Sequence, residues 1–154
     1  MAEFEVVETN PQPYIFIEHE AEFGPDMQPL FADAFGKLWQ FREAHGIVPV
    51  GPPMSVTVWV KGNRSRFRVS LPVGIGDAEK ATGEIAFDTL PAGLAAHVTH
   101  NGSYQGLGAT YDALMGWMSA QGHTPAMPCW EVYVDDPGEV PEETLRTEIY
   151  MPIG

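Results

Sequence analysis

The segments His45–Val60 (HGIVPVGPPMSVTVWV) and Gln121–Asp136 (QGHTPAMPCWEVYVDD) decide the fold, because they are two versions of one pattern. The offset between them is constant at 76 positions (122 − 46), without a gap. The matched pairs are Gly46 with Gly122, Pro49 with Pro125, Pro52 with Pro128, Val56 with Val132 and Val58 with Val134. A fixed separation over so many positions indicates an internal duplication.

The residues upstream of both segments predict a helix in each copy. Apolar side chains recur there at helical spacing and at the same offset. They are Phe31, Phe35, Leu38 and Phe41 in the first copy, and Leu107, Tyr111, Leu114 and Trp117 in the second. We expect helices over about residues 27–45 and 104–121, because Gly46 and Gly122 favour a left-handed helix end and the prolines that follow prevent continuation.

A third pair of segments, ETNPQPYIFIEHEAEFG and DTLPAGLAAHVTHNGSYQ, matches at an offset of 80 (88 − 8). Alternating and β-branched residues predict four strands in each copy, near 3–8, 14–20, 54–60 and 66–73, and near 83–89, 94–100, 129–135 and 144–151. The predicted fold class is α+β, a duplicated strand-strand-helix-strand-strand unit with repeats of about 3–73 and 83–151. We expect a curved antiparallel sheet or open barrel with two long helices on one side, and one domain over residues 1–154.

The composition excludes several classes of partner. The 154 residues include 21 acidic and 8 basic side chains, a formal net charge of −13. This field repels phosphate backbones and anionic lipids, so we expect no direct nucleic-acid binding and no membrane partner. The start of the sequence lacks the features of a signal peptide, which favours a cytoplasmic protein. Cys129 has no second cysteine to pair with and the five histidines lack metal-binding spacing, so we predict no disulfide, no metal and no cofactor.

Glu131 is an unusual residue within the strand-like stretch CWEVYV. Side chains alternate between the two faces of a strand, so Glu131 shares one face with Cys129 and Tyr133. The apolar set led by Trp130 is expected to pack under the helices, which directs Glu131 away from them. We therefore predict a ligand pocket on the open face, lined by Glu131, Tyr133 and Trp59, with His97 and Tyr150 as further candidates. The alternatives are a solvated strand position for Glu131, a packing role for Trp59 and a structural role for His97.

The motifs HNGSYQGL before the second helix, WEVYVDDP in the penultimate strand and TLRTEIYMPI at the end resemble the GyrI-like family, also called the AraC-type effector-binding domain. The resemblance spans essentially the whole chain. It implies a duplicated half that forms a curved sheet with two helices, with the glutamate of the WEVY strand, here Glu131, at the base of a ligand pocket. Since that fold uses the whole sequence, we expect no DNA-binding domain within it.

The resemblance leaves three functions open. As a free-standing, multidrug-binding protein, the chain would hold a hydrophobic cation or aromatic molecule by stacking and by a contact to Glu131. As a hydrolase of strained, electrophilic compounds such as cyclopropanes, it would use Glu131 to activate water and Tyr133 to orient that water or donate to the leaving group. As a gyrase-inhibitor-like protein, it would present its acidic surface to another protein.

Overall fold

The secondary structure follows the duplicated pattern closely. The computed structural model describes residues 3–23 and 27–154. In chain order its strands and helices are β1 (Glu5–Thr9), β2 (Gln12–Glu22), α1 (Met27–His45), β3 (Met54–Lys61), β4 (Arg64–Pro72), α2 (Ile75–Ala78), β5 (Ala86–Leu90), β6 (Gly93–Asn101), α3 (Leu107–Ala120), β7 (Cys129–Tyr133) and β8 (Arg146–Pro152). The predicted α+β class, with antiparallel strands and two long helices, is confirmed. The short helix α2 and the 3-10 turns Tyr104–Gly106 and Glu142–Thr144 were not predicted.

The strands divide between two compact units, each with four antiparallel strands. The N-terminal unit is Asn10–Pro91, and its strands lie in the order β3-β4-β2-β5. The C-terminal unit is Ala92–Gly154 together with β1, and its strands lie in the order β1-β6-β8-β7. The first strand of each sequence repeat therefore pairs with the second strand of the other repeat.

The strand registers correct one of the two sequence offsets. From Ser55 the register leads across β4 at Val69 to Ile17 on β2. From Glu131, its match at the offset of 76, the register leads across β8 at Ile149 to Val98 on β6. Ile17 therefore matches Val98, so the offset between β2 and β6 is 81 (98 − 17) in place of 80. A slip of one residue turns each side chain to the opposite sheet face, so the sequence alignment misassigned the facing of β2 and β6 relative to each other.

Each unit buries one face of its sheet under its long helix. In the N-terminal unit, Ala34 and Leu38 of α1 belong to the same apolar cluster as Ile17 and Val69. In the C-terminal unit, α3 packs onto the sheet through a second apolar cluster, formed by Ala96, Val98, Leu114, Met118, Cys129, Ile149 and Met151. We call the sheet face under the helix the helix face of that unit, and the opposite side its far face.

Both long helices end as the sequence predicts. Gly46 and Gly122 adopt φ values of 64° and 78°, in the left-handed region that favours glycine. The chain then returns to β3 and β7, which carry the matching segments. No helix in the described part of the chain is both long enough and apolar enough to cross a membrane.

Candidate functional site

The structure overturns the predicted facing of Glu131. Cys129 belongs to the apolar cluster under α3, so Glu131 and Tyr133, two and four residues later on β7, also lie on the helix face. Trp130 lies on the far face, where its ring stacks on Tyr150 with centroids 5.5 Å apart. The facing prediction was wrong because both faces of this strand begin buried: Cys129 is 4% exposed and Trp130 is 5% exposed. Hydrophobicity alone cannot choose the helix face of such a strand.

Glu131 accepts hydrogen bonds from two phenols. The hydroxyl of Tyr111, on α3, donates to Oε1 at 2.8 Å, and the hydroxyl of Tyr133, on the same strand, donates to Oε2 at 2.8 Å. The ring of Tyr104 meets the ring of Tyr133 edge to face, with centroids 5.7 Å apart. We call Glu131, Tyr104, Tyr111 and Tyr133 the Glu131 cluster. All four residues are half-buried, so each retains surface that solvent reaches.

Two opposing effects act on the pKa of the Glu131 carboxyl group. Burial raises the pKa of Glu131 above its ordinary value, while the two phenol hydrogen bonds favour the charged form. Burial and the neighbouring carboxylate raise the pKa of Tyr111 well above its ordinary value, so its hydroxyl remains a donor. Glu131 forms no ion pair with a lysine or arginine of the described residues. The arrangement is a half-buried acid in an aromatic setting without its own countercharge.

Two other predicted site residues, His97 and Tyr150, lie on the far face of the C-terminal unit. The register pairs His97 with Tyr150 and Tyr150 with Trp130, and the rings form a continuous stack. His97 Nδ1 lies 2.9 Å from a carboxylate oxygen of Glu5 on β1, and Nε2 contacts Glu148 on β8. The sheet therefore separates these two residues from Glu131 and Tyr133.

Trp59, the remaining predicted residue, belongs to the N-terminal unit. A β-bulge between Thr57 and Trp59 shifts the register, so Trp59 pairs with Arg66 whereas Thr57 pairs with Phe67. Because Phe67 is on the helix face, the bulge turns Trp59 to the far face. Lys61 and Arg66 lie over its ring, 5.0 and 5.5 Å from the centroid. The alternation that grouped Trp59 with Ser55 and Thr57 fails at this bulge.

Sequence reasoning missed Tyr111 and Tyr104 as members of the site. Tyr111 was read as one more residue of an apolar helical stripe. The signal that could have identified it is the hydroxyl: Phe35 occupies the matching position of the first copy, so the second copy has gained a polar atom in a core stripe. Tyr104 lies in the loop before α3 and has no periodic pattern to reveal its direction.

Within residues 3–23 and 27–154, no three histidine, cysteine, aspartate or glutamate side chains are placed to hold an ion. The groups that the Glu131 cluster itself offers are a carboxylate, phenol hydroxyls and aromatic rings.

Comparison with models of known families shows which family the chain belongs to. The model of the GyrI-like small molecule binding domain matches residues 2–154. The chain belongs to the GyrI-like family. A search of curated proteins finds no match.

Solved structures agree with this assignment of the GyrI-like fold. The C-terminal domain of EcmrR superposes with a TM-score of 0.82 at 20% identity, covering 100% of this chain and 98% of that one. The longer EcmrR chain in a complex with DNA gives 0.78 at 19% identity, covering 99% of this chain; this chain spans 57% of it.

Two more distant structures share the GyrI-like fold. SAV2435 bound to tetraphenylphosphonium has a TM-score of 0.67 at 12% identity, covering 99% of this chain and 94% of that one. A hydrolase from Listeria innocua has a TM-score of 0.67 at 13% identity, covering 98% of this chain and 91% of that one. At these identities the likeness is one of fold.

Proposed function

We propose that this GyrI-like protein binds hydrophobic, aromatic cations at the Glu131 cluster. The observation that carries the proposal is the carboxylate itself: Glu131 is half-buried, held by two phenols, and without a lysine or arginine partner among the described residues. A buried charge is costly unless it is paired, so a ligand cation would supply the missing countercharge.

The aromatic side chains around Glu131 fit the same ligand class. Cations bind over the faces of tyrosine rings, and each such contact contributes about 0.5 to 2 kcal/mol. Tyr104, Tyr111 and Tyr133 provide three rings beside one carboxylate. SAV2435, which shares the fold, has been solved with tetraphenylphosphonium, a molecule of this class.

The test uses tetraphenylphosphonium, whose charge does not depend on pH, and isothermal titration calorimetry. The substitution Glu131→Gln keeps the shape of the side chain and removes its charge. We expect affinity to fall about 5- to 150-fold, the range of a lost ionic hydrogen bond or contact. The neutral analogue triphenylphosphine oxide should bind both forms alike.

A matched control removes the same charge elsewhere. Glu139 is an exposed acidic residue of the loop after β7. Glu139→Gln changes the net charge by the same amount, so it should alter affinity less than twofold. Equal affinity in wild type and Glu131→Gln, or equal losses in the two variants, would refute the proposal.

A hydrolase is the second candidate, favoured by the raised pKa of Glu131. A carboxyl group whose pKa lies closer to neutrality is a better general base, and Tyr133 is in hydrogen-bond contact with it. Product analysis on an epoxide or an activated cyclopropane separates the two functions. In a hydrolase, Glu131→Gln would reduce turnover by about two to four orders of magnitude with little change in binding. The gyrase-inhibitor alternative stays a prediction.

A further inference from the structure

The segment between β6 and α3 is built around the side chain of His100. His100 is the last residue of β6 on the helix face and is 7% exposed. Its Nε2 lies 2.8 Å from the carbonyl oxygen of Ser103, and its Nδ1 lies 2.6 Å from the hydroxyl oxygen of Thr110. One imidazole thus holds the start of the connecting segment and the first turns of α3.

The two contacts define which atoms donate. The carbonyl of Ser103 can only accept, so Nε2 of His100 carries a hydrogen and donates. In neutral imidazole, Nδ1 then accepts from the hydroxyl of Thr110. Both bonds are satisfied in one tautomer, so the ring is fixed in position and in plane.

Gly106 closes the packing around this ring. A Cβ added at Gly106 would lie 3.1 Å from Cε1 and 3.5 Å from Nε2 of His100. The first distance is tighter than ordinary van der Waals contact, so a side chain at this position would require the imidazole to shift by a few tenths of an ångström. By contrast, a Cβ at Gly108, two residues later, would meet nothing within 4 Å.

Tyr104 lies within the segment that His100 holds. Residues Tyr104–Gly106 form a 3-10 turn, and the Tyr104 ring contacts the ring of Tyr133, which donates to Glu131. His100 and Tyr133 are both cross-strand neighbours of Thr147 on β8, so they share the helix face. The residue that His100 holds on one side, Ser103, directly precedes Tyr104 in the chain.

We propose that His100 is a positioning residue that sets Tyr104 as an aromatic wall of the Glu131 cluster and so gives the site its selectivity for aromatic over aliphatic cations. The inference rests on the proposed function. The fold alone does not require this arrangement: His19 is the matching residue of the N-terminal unit at the offset of 81 (100 − 19), and its Nε2 is buried without a hydrogen-bond partner.

The test compares two permanently charged probes, tetraphenylphosphonium and the aliphatic tetrabutylammonium. Gly106→Ala displaces the imidazole, and Thr110→Val removes the donor to Nδ1; neither alters a residue of the cluster. We expect each to weaken tetraphenylphosphonium binding about 2- to 12-fold, the range of one contact between aromatic rings, and to leave tetrabutylammonium, which has no ring to stack, within twofold. Gly108→Ala is the matched control and should change neither affinity.

A double-mutant cycle distinguishes positioning from a general structural effect. If Gly106→Ala acts through Tyr104, combining it with Tyr104→Leu should weaken tetraphenylphosphonium binding no further than Tyr104→Leu alone. Additive losses, equal losses for both probes, or identical behaviour of the Gly106→Ala and Gly108→Ala variants would overturn the inference. If Glu131→Gln weakens the binding of neither cation, the proposed function is refuted, and the selectivity inference is refuted with it. If Glu131→Gln weakens both cations but Gly106→Ala changes neither, only the selectivity inference is refuted.

Discussion

The two units place different chemistry on the same scaffold. At the offset of 76, Ser55 matches Glu131 and Thr57 matches Tyr133 on equivalent strands. The matching positions on the helices are Phe35 and Tyr111. Where the C-terminal unit joins a carboxylate to phenols, the N-terminal unit has small hydroxyls beneath an apolar helix.

The difference shows what a polar site requires of its surroundings. In the N-terminal unit, the rings of Phe31 and Phe67 stack with centroids 5.0 Å apart, and Phe35 packs against the same cluster. An acid among those rings would have no phenol to donate to it. In the C-terminal unit, the two hydroxyl donors stabilise the carboxylate of Glu131 and offset part of the rise in pKa that burial causes.

The strongest way to break the comparison is to place an acid in the N-terminal unit. Ser55 is 4% exposed, so Ser55→Glu would bury a charge without donors and should lower the free energy of unfolding by about 3 to 5 kcal/mol. Urea denaturation measures this. Ser55→Gln controls for size, and it should be distinctly more stable than Ser55→Glu at neutral pH. If the two variants are equally stable, charge burial is not what separates the units.

Making the C-terminal unit resemble the N-terminal unit should have a smaller effect on the free energy of unfolding. Tyr111→Phe copies Phe35 and removes one of the two hydrogen bonds to Glu131, at about 1.5 to 3 kcal/mol of unfolding free energy. The reverse change, Phe35→Tyr, meets no glutamate at the matching strand position and should not stabilise the protein. A stabilising Phe35→Tyr would show that the N-terminal unit offers an acceptor for the new hydroxyl.

The pH dependence of stability sharpens the comparison further. Because the pKa of Glu131 is raised in the folded protein, the folded state binds a proton more tightly than the unfolded state. Stability should therefore decrease as pH rises from the ordinary carboxyl pKa through the raised one. Unfolding curves of wild type and Glu131→Gln, measured side by side, should differ in slope across this window. Parallel curves would mean that Glu131 titrates as an ordinary exposed acid.

The smallest effect is expected on the far face. His97→Gln removes the imidazole contact with Glu5, whose side chain is 59% exposed, so the loss of stability should be about 1 kcal/mol or less. Since the sheet lies between His97 and Glu131, tetraphenylphosphonium affinity should change less than twofold. A large loss of affinity in titration calorimetry would place the ligand on the far face, away from Glu131, and would contradict binding at the Glu131 cluster.

Sequence reasoning predicted the elements well because they depend on local patterns. The two apolar stripes gave both long helices, and Gly46 and Gly122 marked their ends. It failed at facing, which depends on partners distant in sequence. A bulge at Trp59 and a one-residue error in the offset of the first two strands each invert the assignment of a side chain.

Sequence reasoning named two of the side chains that the structure brings together at the Glu131 cluster, but not the other two. Glu131 and Tyr133 were identified from β7, and the structure joins them by a hydrogen bond. Tyr111 and Tyr104 were missed because an aromatic residue in a helical stripe or loop does not show from sequence which way its hydroxyl points. His97 and Tyr150 were grouped with Glu131 for their chemistry, although strand parity separates them.

The pairing of β1 with β6 has a consequence for how the chain folds. Thr9 bonds to Gly93 and Glu5 contacts His97, across 84 and 92 positions of sequence. During synthesis, β1 has no sheet partner until β6 emerges about ninety residues later. Strand pairings between segments so far apart in sequence form slowly. Until then β1 is an unpaired edge, the kind of segment that associates with other chains. The charged residues Glu5 and Glu8 on β1 would oppose that association before β6 is available for pairing.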